Sequence, residues 1–283
     1  MRKVIDVRVT PRVKECLGSW TPPNTFPPYR KYLERYPGAK ERMYPIPMEE
    51  MFAEMDRSGV VKAVIGGADI ETTWGRKITD DVIADLVRKY PDRFIGFAGA
   101  DPFKGMAAVR GVERAVRELG LRGLSLDPWL HGLQANDKRY YPLYTKAVEL
   151  GIPINIHTSQ HFHSDMPMET GNPSNLDEVA CHFPELKLIA RHAGWPWVLP
   201  MVAVAWRHEN VYIELSGLAP RYLHTDYLRH FDTVLQDRVL YGTSYPVLTW
   251  ERTIKELEAL PLKEETKEKI LYRNAARLLG IEE

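Results

Sequence analysis

The chain has 283 residues, 44% of them hydrophobic and 27% charged, with 38 basic side chains balanced by 38 acidic ones. That composition supplies a substantial core, and a formal charge of zero creates no general field to attract nucleic acid or an anionic membrane. There is no apolar run of about 18 residues, the opening MRKVID leads straight into a strand, and Cys16 and Cys181 match no metal or redox spacing, so a cytoplasmic globular protein without span or signal peptide is expected.

The first predicted strand, KVIDVRV (3–9), alternates aliphatic residues with Asp6, Arg8 and Thr10 and stops at Pro11. Residues 11–46 then run long for a connection, and Pro22, Pro23, Pro27, Pro28 and Pro37 stiffen them. A loop of this length serves as a lid, an oligomer contact or a plain surface excursion. Further short aliphatic runs follow at 60–67, 93–100, 121–127, 152–157, 186–192, 211–217 and 238–244. Amphipathic segments separate them. In MAAVRGVERAVREL the apolar positions Met106, Val109, Val112, Val116 and Leu119 form a helical stripe. The tail LKEETKEKILYRNAARLLG (262–280) reads as a last helix on the outside.

Eight strand-then-helix units, with strands apolar on both faces, predict a parallel (β/α)₈ TIM barrel, with a long loop after the first strand and an extra C-terminal helix. An open doubly wound sheet would carry a Gly-rich turn after its first strand, and DVRVTPRV has none. No repeat or domain boundary appears, so 1–283 is expected to form one domain.

In such barrels the chemistry sits at the strand C-terminal ends. Counting by twos turns Asp6, Arg8, Thr10, Ser125, Asp127, Asn155, His157, His192, Glu214, Ser216 and Ser244 inward. A lone histidine at a strand end is commonly a spacer. Two of them, His157 and His192, end adjacent strands that need neither to close the barrel. Arg8 in a buried position demands an anionic partner, whereas Asp127 before Pro128 also suits a turn cap and Glu214 can sit too deep to reach substrate. In HTSQHFH a metal held by His157, His161, His163 and Asp127 stands against a solvated loop. His131, Trp129, Trp195, Trp197 and Tyr245 either wall a pocket for a flat ring or pack between loops.

The ordered segments GIPINIHTS, KLIARHAGWPW, NVYIELSG, RVLYGTSYP and the terminal NAARLLG resemble the amidohydrolase-related family that includes aminocarboxymuconate-semialdehyde decarboxylase. The resemblance implies hydrolysis or decarboxylation of small, often aromatic-derived carboxylic acids. It also implies a divalent metal, frequently zinc, held by an HxH pair on strand 1, a histidine on strand 5 and an aspartate on strand 8, with a strand-6 histidine assisting. Here His157 and His192 match the two later histidines, but Arg8 and Thr10 replace the HxH pair and Ser244 replaces the aspartate. A guanidinium about 4 Å from a divalent ion would be repelled by roughly 8 kcal/mol at an effective dielectric of 20. The expectation is therefore an enzyme without the metal. Arg8, Thr10, Ser216, Ser244 and Trp195 would bind a small carboxylate or lactone, while His157 or His192 performs acid–base chemistry near neutral pH and Asp127, the third catalytic candidate, orients one of them. Alternatives are zinc or another divalent ion on displaced ligands, or a silent ligand-binding barrel. Relatives often form dimers, which implies a homodimer.

Overall fold

The computed structural model describes residues 2–18, 26–35 and 38–282; Pro22, Pro23 and Pro37 of the long connection lie outside them. Eight parallel strands form one sheet in chain order: β1 (Val4–Val9), β2 (Val60–Gly66), β3 (Phe94–Gly99), β4 (Leu124–Leu126), β5 (Ile154–His157), β6 (Leu188–Arg191), β7 (Val211–Glu214) and β8 (Val239–Leu240). Backbone hydrogen bonds from Val7 N to Tyr241 O (3.0 Å), Ser244 N to Arg8 O (2.9 Å) and Thr10 N to Tyr245 O (2.8 Å) bring the end of the sheet back onto its start. The result is the nearly closed TIM barrel that the strand pattern predicts. No helix among the described residues is long and apolar enough to cross a membrane.

The expected helices form, with their apolar stripes against the strands. Met106–Arg117, for example, buries Val109 and Val112. Two features escape the sequence reading. A helix at Trp250–Glu258 packs Trp250 and Leu257 inward, and a small antiparallel hairpin pairs Ala68–Ile70 with Arg76–Ile78.

Two apolar layers result. Outside the ring, alternate strand residues such as Ile154, Ile156 and Ile213 pack against the helices. A second cluster joins Ile5, Val7, Val64, Ile95, Phe97, Ile189 and Leu240, which come from opposite sides of the ring and so fill its interior. Ala275, Ala276, Leu278 and Leu279 of the terminal helix belong to this inner cluster. The last turns of the tail thus pack against the inner cluster, while Leu262, Ile270 and Leu271 earlier in it join the outer layer, as expected of an exterior segment.

The long connection is not a plain excursion. Its helices Lys14–Leu17, Pro27–Arg35 and Ala39–Arg42 bury Cys16, Leu17 and Ala39 and bring Pro28, Tyr29 and Met43 over the barrel mouth.

Candidate active site

The strand ends open on a cavity of about 300 Å³. Arg8 and Thr10 follow from β1, Asp127 and Trp129 from β4, His157, His161 and Phe162 from β5, His192 and Trp195 from β6, Gly217 from β7, and Ser244 from β8. Of the residues expected to act on or bind substrate, all but Ser216 line this cavity, whereas Asp6, Ser125, Asn155 and Glu214, also counted inward, do not. Ser216, expected to touch substrate, is fully buried and absent from the lining, because its hydroxyl is taken by Glu214 and His192.

Alternation breaks twice, and each break moves a charged group. Ile5 and Val7 face the barrel interior, so Asp6 points outward, where it accepts hydrogen bonds from Thr243 Oγ1 (2.5 Å), Trp250 Nε1 (2.7 Å) and Arg8 N (2.9 Å). A register shift between Asp6 and Val9 then turns Arg8 into the cavity. Asp6 is structural and does not share the mouth with Arg8. On β6, Ile189 faces the interior, so Arg191 does too. His192 lies beyond the strand and reaches the cavity through a left-handed backbone, φ 62°, followed by Ala193 at 52°. The sequence reading missed Arg191 because it extended the strand through residue 192.

Arg191 is fully buried. Its Nη2 donates to Asp127 Oδ1 at 2.6 Å and to the Leu126 carbonyl, while Nε and Nη1 have no hydrogen-bond partner. Burial lowers it to about 10, against the opposing pull of Asp127, so it stays cationic at neutral pH. Burial alone would raise the Asp127 carboxyl, but the guanidiniums of Arg191 and Arg8 hold it below its ordinary range. Asp127 is thus an ionised partner of Arg191. The Arg8 guanidinium makes no ion pair among the described residues, and its Nε is buried without a partner. Two fixed positive charges against one negative leave the mouth electropositive.

The imidazoles of His157 and His192 stand 4.9 Å apart, centre to centre. Burial, with the Arg191 and Arg8 charges, pushes His192 down to about 3, and burial beside His192 pushes His157 well below its ordinary value. Both are neutral in the resting site, a correction to the expectation that they titrate near 7.

Trp129 is buried, stacks on His161 at 4.8 Å and tilts against His157 at 5.7 Å, while Trp195 stands at the rim, 41% exposed. Tyr245 and Trp197 do not line the cavity. Tyr245 stacks on Trp250 at 3.9 Å and bonds Glu54, and Trp197 caps the helix Val198–Arg207. His131 has both ring nitrogens engaged, by Tyr140 Oη and the Asp69 carbonyl, and is structural.

The displaced ligand set does not assemble. Asp127 is clamped by Arg191, and His163 lies against Trp74 outside the lining. Among the described residues, the one group of three donor atoms within 4.8 Å of one another is Asp177, Cys181 and His208, away from the cavity, where Arg207 and His208 already hold the carboxylate.

The family model described as Amidohydrolase matches residues 5–281. The decarboxylase orsB of Emericella nidulans is 26% identical over 89% of this chain and 91% of its own length. The 2-amino-3-carboxymuconate-6-semialdehyde decarboxylase of Dictyostelium discoideum is 24% identical over 72% and 66%. Among solved structures, a TIM-barrel protein of Bordetella bronchiseptica superposes with a TM-score of 0.81 at 29% identity, covering 98% of both chains. A dihydroxybenzoic acid decarboxylase of Polaromonas, with manganese and 2-nitroresorcinol bound, superposes with 0.72 at 20% identity over 99% and 98%. Manganese is also bound in 5-carboxyvanillate decarboxylase structures of the same fold. The expectation that no metal takes part is corrected by these structures, which point to a divalent ion in decarboxylases of this kind.

Proposed function

The chain belongs to the amidohydrolase family, as a hydrolase or carboxy-lyase of that superfamily, and on this premise we propose that it removes carbon dioxide from a small aromatic carboxylic acid held in the barrel mouth. The observation that carries the reading is Arg8: a guanidinium with no ion pair among the described residues, in a cavity walled by Trp129, Tyr29 and Phe162. A planar carboxylate meets a guanidinium through two parallel hydrogen bonds, and the rings suit the flat face of an arene.

Loss of carbon dioxide from an arene needs a proton on the ring carbon that bears the carboxylate. The carbon–carbon bond then breaks and its electron pair returns to the ring. Three imidazoles line the cavity, and with His161 stacked on Trp129, His192 and His157 are the ones assigned the proton. An anionic substrate placed between them and the guanidiniums offsets the positive charges that depress them, so binding itself raises their basicity.

Manganese in neighbouring decarboxylases makes a divalent ion the cofactor to test against these residues. The positions that the resemblance assigns to ligands are Arg8, Thr10, His157 and Ser244, and all four line the cavity. Arginine has no lone pair to give, and neutral hydroxyls are poor substitutes for imidazole or carboxylate. His157 Nδ1 and Ser244 Oγ are buried without partners; only the first is a donor of the required type. The set does not fit the ion at those positions.

The test is a panel of hydroxybenzoates assayed for carbon dioxide release with and without added manganese. Turnover of at least one is expected, and Arg8→Ala should lower its kcat/KM by about 100-fold or more. Release from no aryl carboxylate under either condition would overturn the reading, as would an Arg8→Ala enzyme of undiminished kcat/KM.

A further inference from the structure

Behind His192 the cavity wall continues into a buried hydrogen-bonded chain that plays no part in the reaction outlined above. The Ser216 hydroxyl lies 2.9 Å from His192 Nδ1 and donates to Glu214 Oε2 at 2.8 Å. The Ser216 carbonyl stands 3.0 Å from the same Nδ1. A carbonyl only accepts, and a hydroxyl that has given its one proton to Glu214 only accepts as well. Nδ1 therefore carries the hydrogen, and the Nε2 lone pair is left for the cavity. Glu214 is held in turn, with Oε1 accepting from Ser216 N at 2.6 Å and Oε2 from His192 N at 3.3 Å.

Two glycines make room for this chain. A Cβ on Gly242 would lie 1.8 Å from Glu214 Oε1. One on Gly217, itself at φ 74°, would lie 2.7 Å from His192 Nδ1. A non-glycine residue in the left-handed region, as His192 is, persists where its surroundings over-determine it. Here the surroundings are the bonds to Ser216 and Glu214.

We infer that Glu214 and Ser216 are positioning residues that lock His192 in its Nδ1–H tautomer, so that Nε2 takes up a proton and returns it to the ring carbon as carbon dioxide leaves. The inference rests on the proposed decarboxylation for its chemistry, but not for its geometry. The proton enters and leaves at Nε2. The transient imidazolium keeps Nδ1–H on Ser216, where the Glu214 carboxylate balances its charge, and no second proton moves.

The test labels the histidines with ¹⁵N and reads their ring nitrogens by NMR, with His192 identified by the loss of its signals in His192→Gln. The wild type should show a protonated Nδ1 and a bare Nε2. In Glu214→Gln the amide places a donor where a carboxylate oxygen accepted, the Ser216 hydroxyl turns toward Nδ1, and the Nε2–H form should rise. With the hydroxybenzoate turned over by the wild type, kcat should fall by about 100-fold while KM changes by less than about threefold. Ser216→Ala, a milder change, should move both readouts in the same direction and serves if Glu214→Gln does not fold. A wild-type His192 in the Nε2–H form overturns the inference, and so does a folded variant with unchanged tautomer and kcat. Because the NMR readout needs no substrate, failure of the decarboxylation reading leaves this test standing.

Discussion

Among the ionisable side chains displaced from their ordinary values at and around the barrel mouth, two histidines and two carboxyls set opposing pH dependences. His192 lies low, at about 3, and His157 is lowered too, because burial and two guanidiniums disfavour an imidazolium. Asp6 and Glu214 are pushed up, to about 6 and about 7, because burial disfavours the carboxylate more strongly than their hydrogen bonds support it. The signs of the resulting pH dependence oppose each other. A depressed histidine makes the unfolded chain bind more protons, so stability falls as pH drops below about 6.5 toward 3. A raised carboxyl makes the native state bind more protons, so its contribution is present at low pH and lost as pH rises from about 4 through 6 or 7. In the wild type the two partly cancel, and one substitution separates them. Between pH 7 and pH 5, His192→Gln should lose less unfolding free energy than the wild type, by up to about 2 kcal/mol. Urea unfolding at both pH values measures it. Equal losses would mean that His192 titrates normally in the folded protein.

Trp250–Glu258, the helix that the sequence reading passed over, fixes the seam where the barrel closes. The last strand is short: β8 ends at Leu240, because Thr243 turns to donate to Asp6 and Ser244 takes φ 57°. Trp250 restores the lost rigidity. It is buried, stacks flat on Tyr245 and donates to Asp6, so one side chain ties β1, the segment after β8 and the helix together. Trp250→Phe keeps most of the volume and removes one of the donors to Asp6, which predicts a loss of about 1–3 kcal/mol in denaturant unfolding. Trp250→Ala opens a cavity as well and should cost about 3–5 kcal/mol. The signal was present in WERTIKELEAL, where Trp250, Ile254 and Leu257 recur at helical spacing. It was hidden behind the stronger GTSYP resemblance just before it. A Trp250→Phe protein as stable as the wild type would show that the stacking, not the hydrogen bond, holds the seam.

Across the whole molecule, the order of elements was legible from periodicity, because short aliphatic runs alternate with segments that are apolar on one helical face. The inward face was legible wherever a strand keeps its alternation to the end. Ser125, Asp127, Asn155, His157 and Glu214 oppose the outward-packed Leu124, Leu126, Ile154, Ile156 and Ile213 as counting predicts. It was not legible at Asp6, beside the register shift, nor at Arg191, whereas His192 was placed at the mouth correctly although its left-handed backbone leaves no mark in composition or spacing. What those breaks achieve is a charge arrangement that strict alternation would not give: Arg191 paired with Asp127, and Arg8 without an ion pair among the described residues. In a chain of zero net charge this local excess is the feature on which the proposed selection of a carboxylate rests. A small aryl carboxylate at about a hundred times its Kd should therefore stabilise the wild type by about 2.7 kcal/mol and raise Tm by about 5 °C or more. The matching neutral amide should do neither, since it leaves the guanidinium uncompensated, and Arg8→Ala should lose the response to the acid while keeping its fold. Thermal melts of the two proteins with acid and amide decide the matter without any turnover being required. Equal shifts from acid and amide would mean that the rings alone hold the ligand and that Arg8 faces something else.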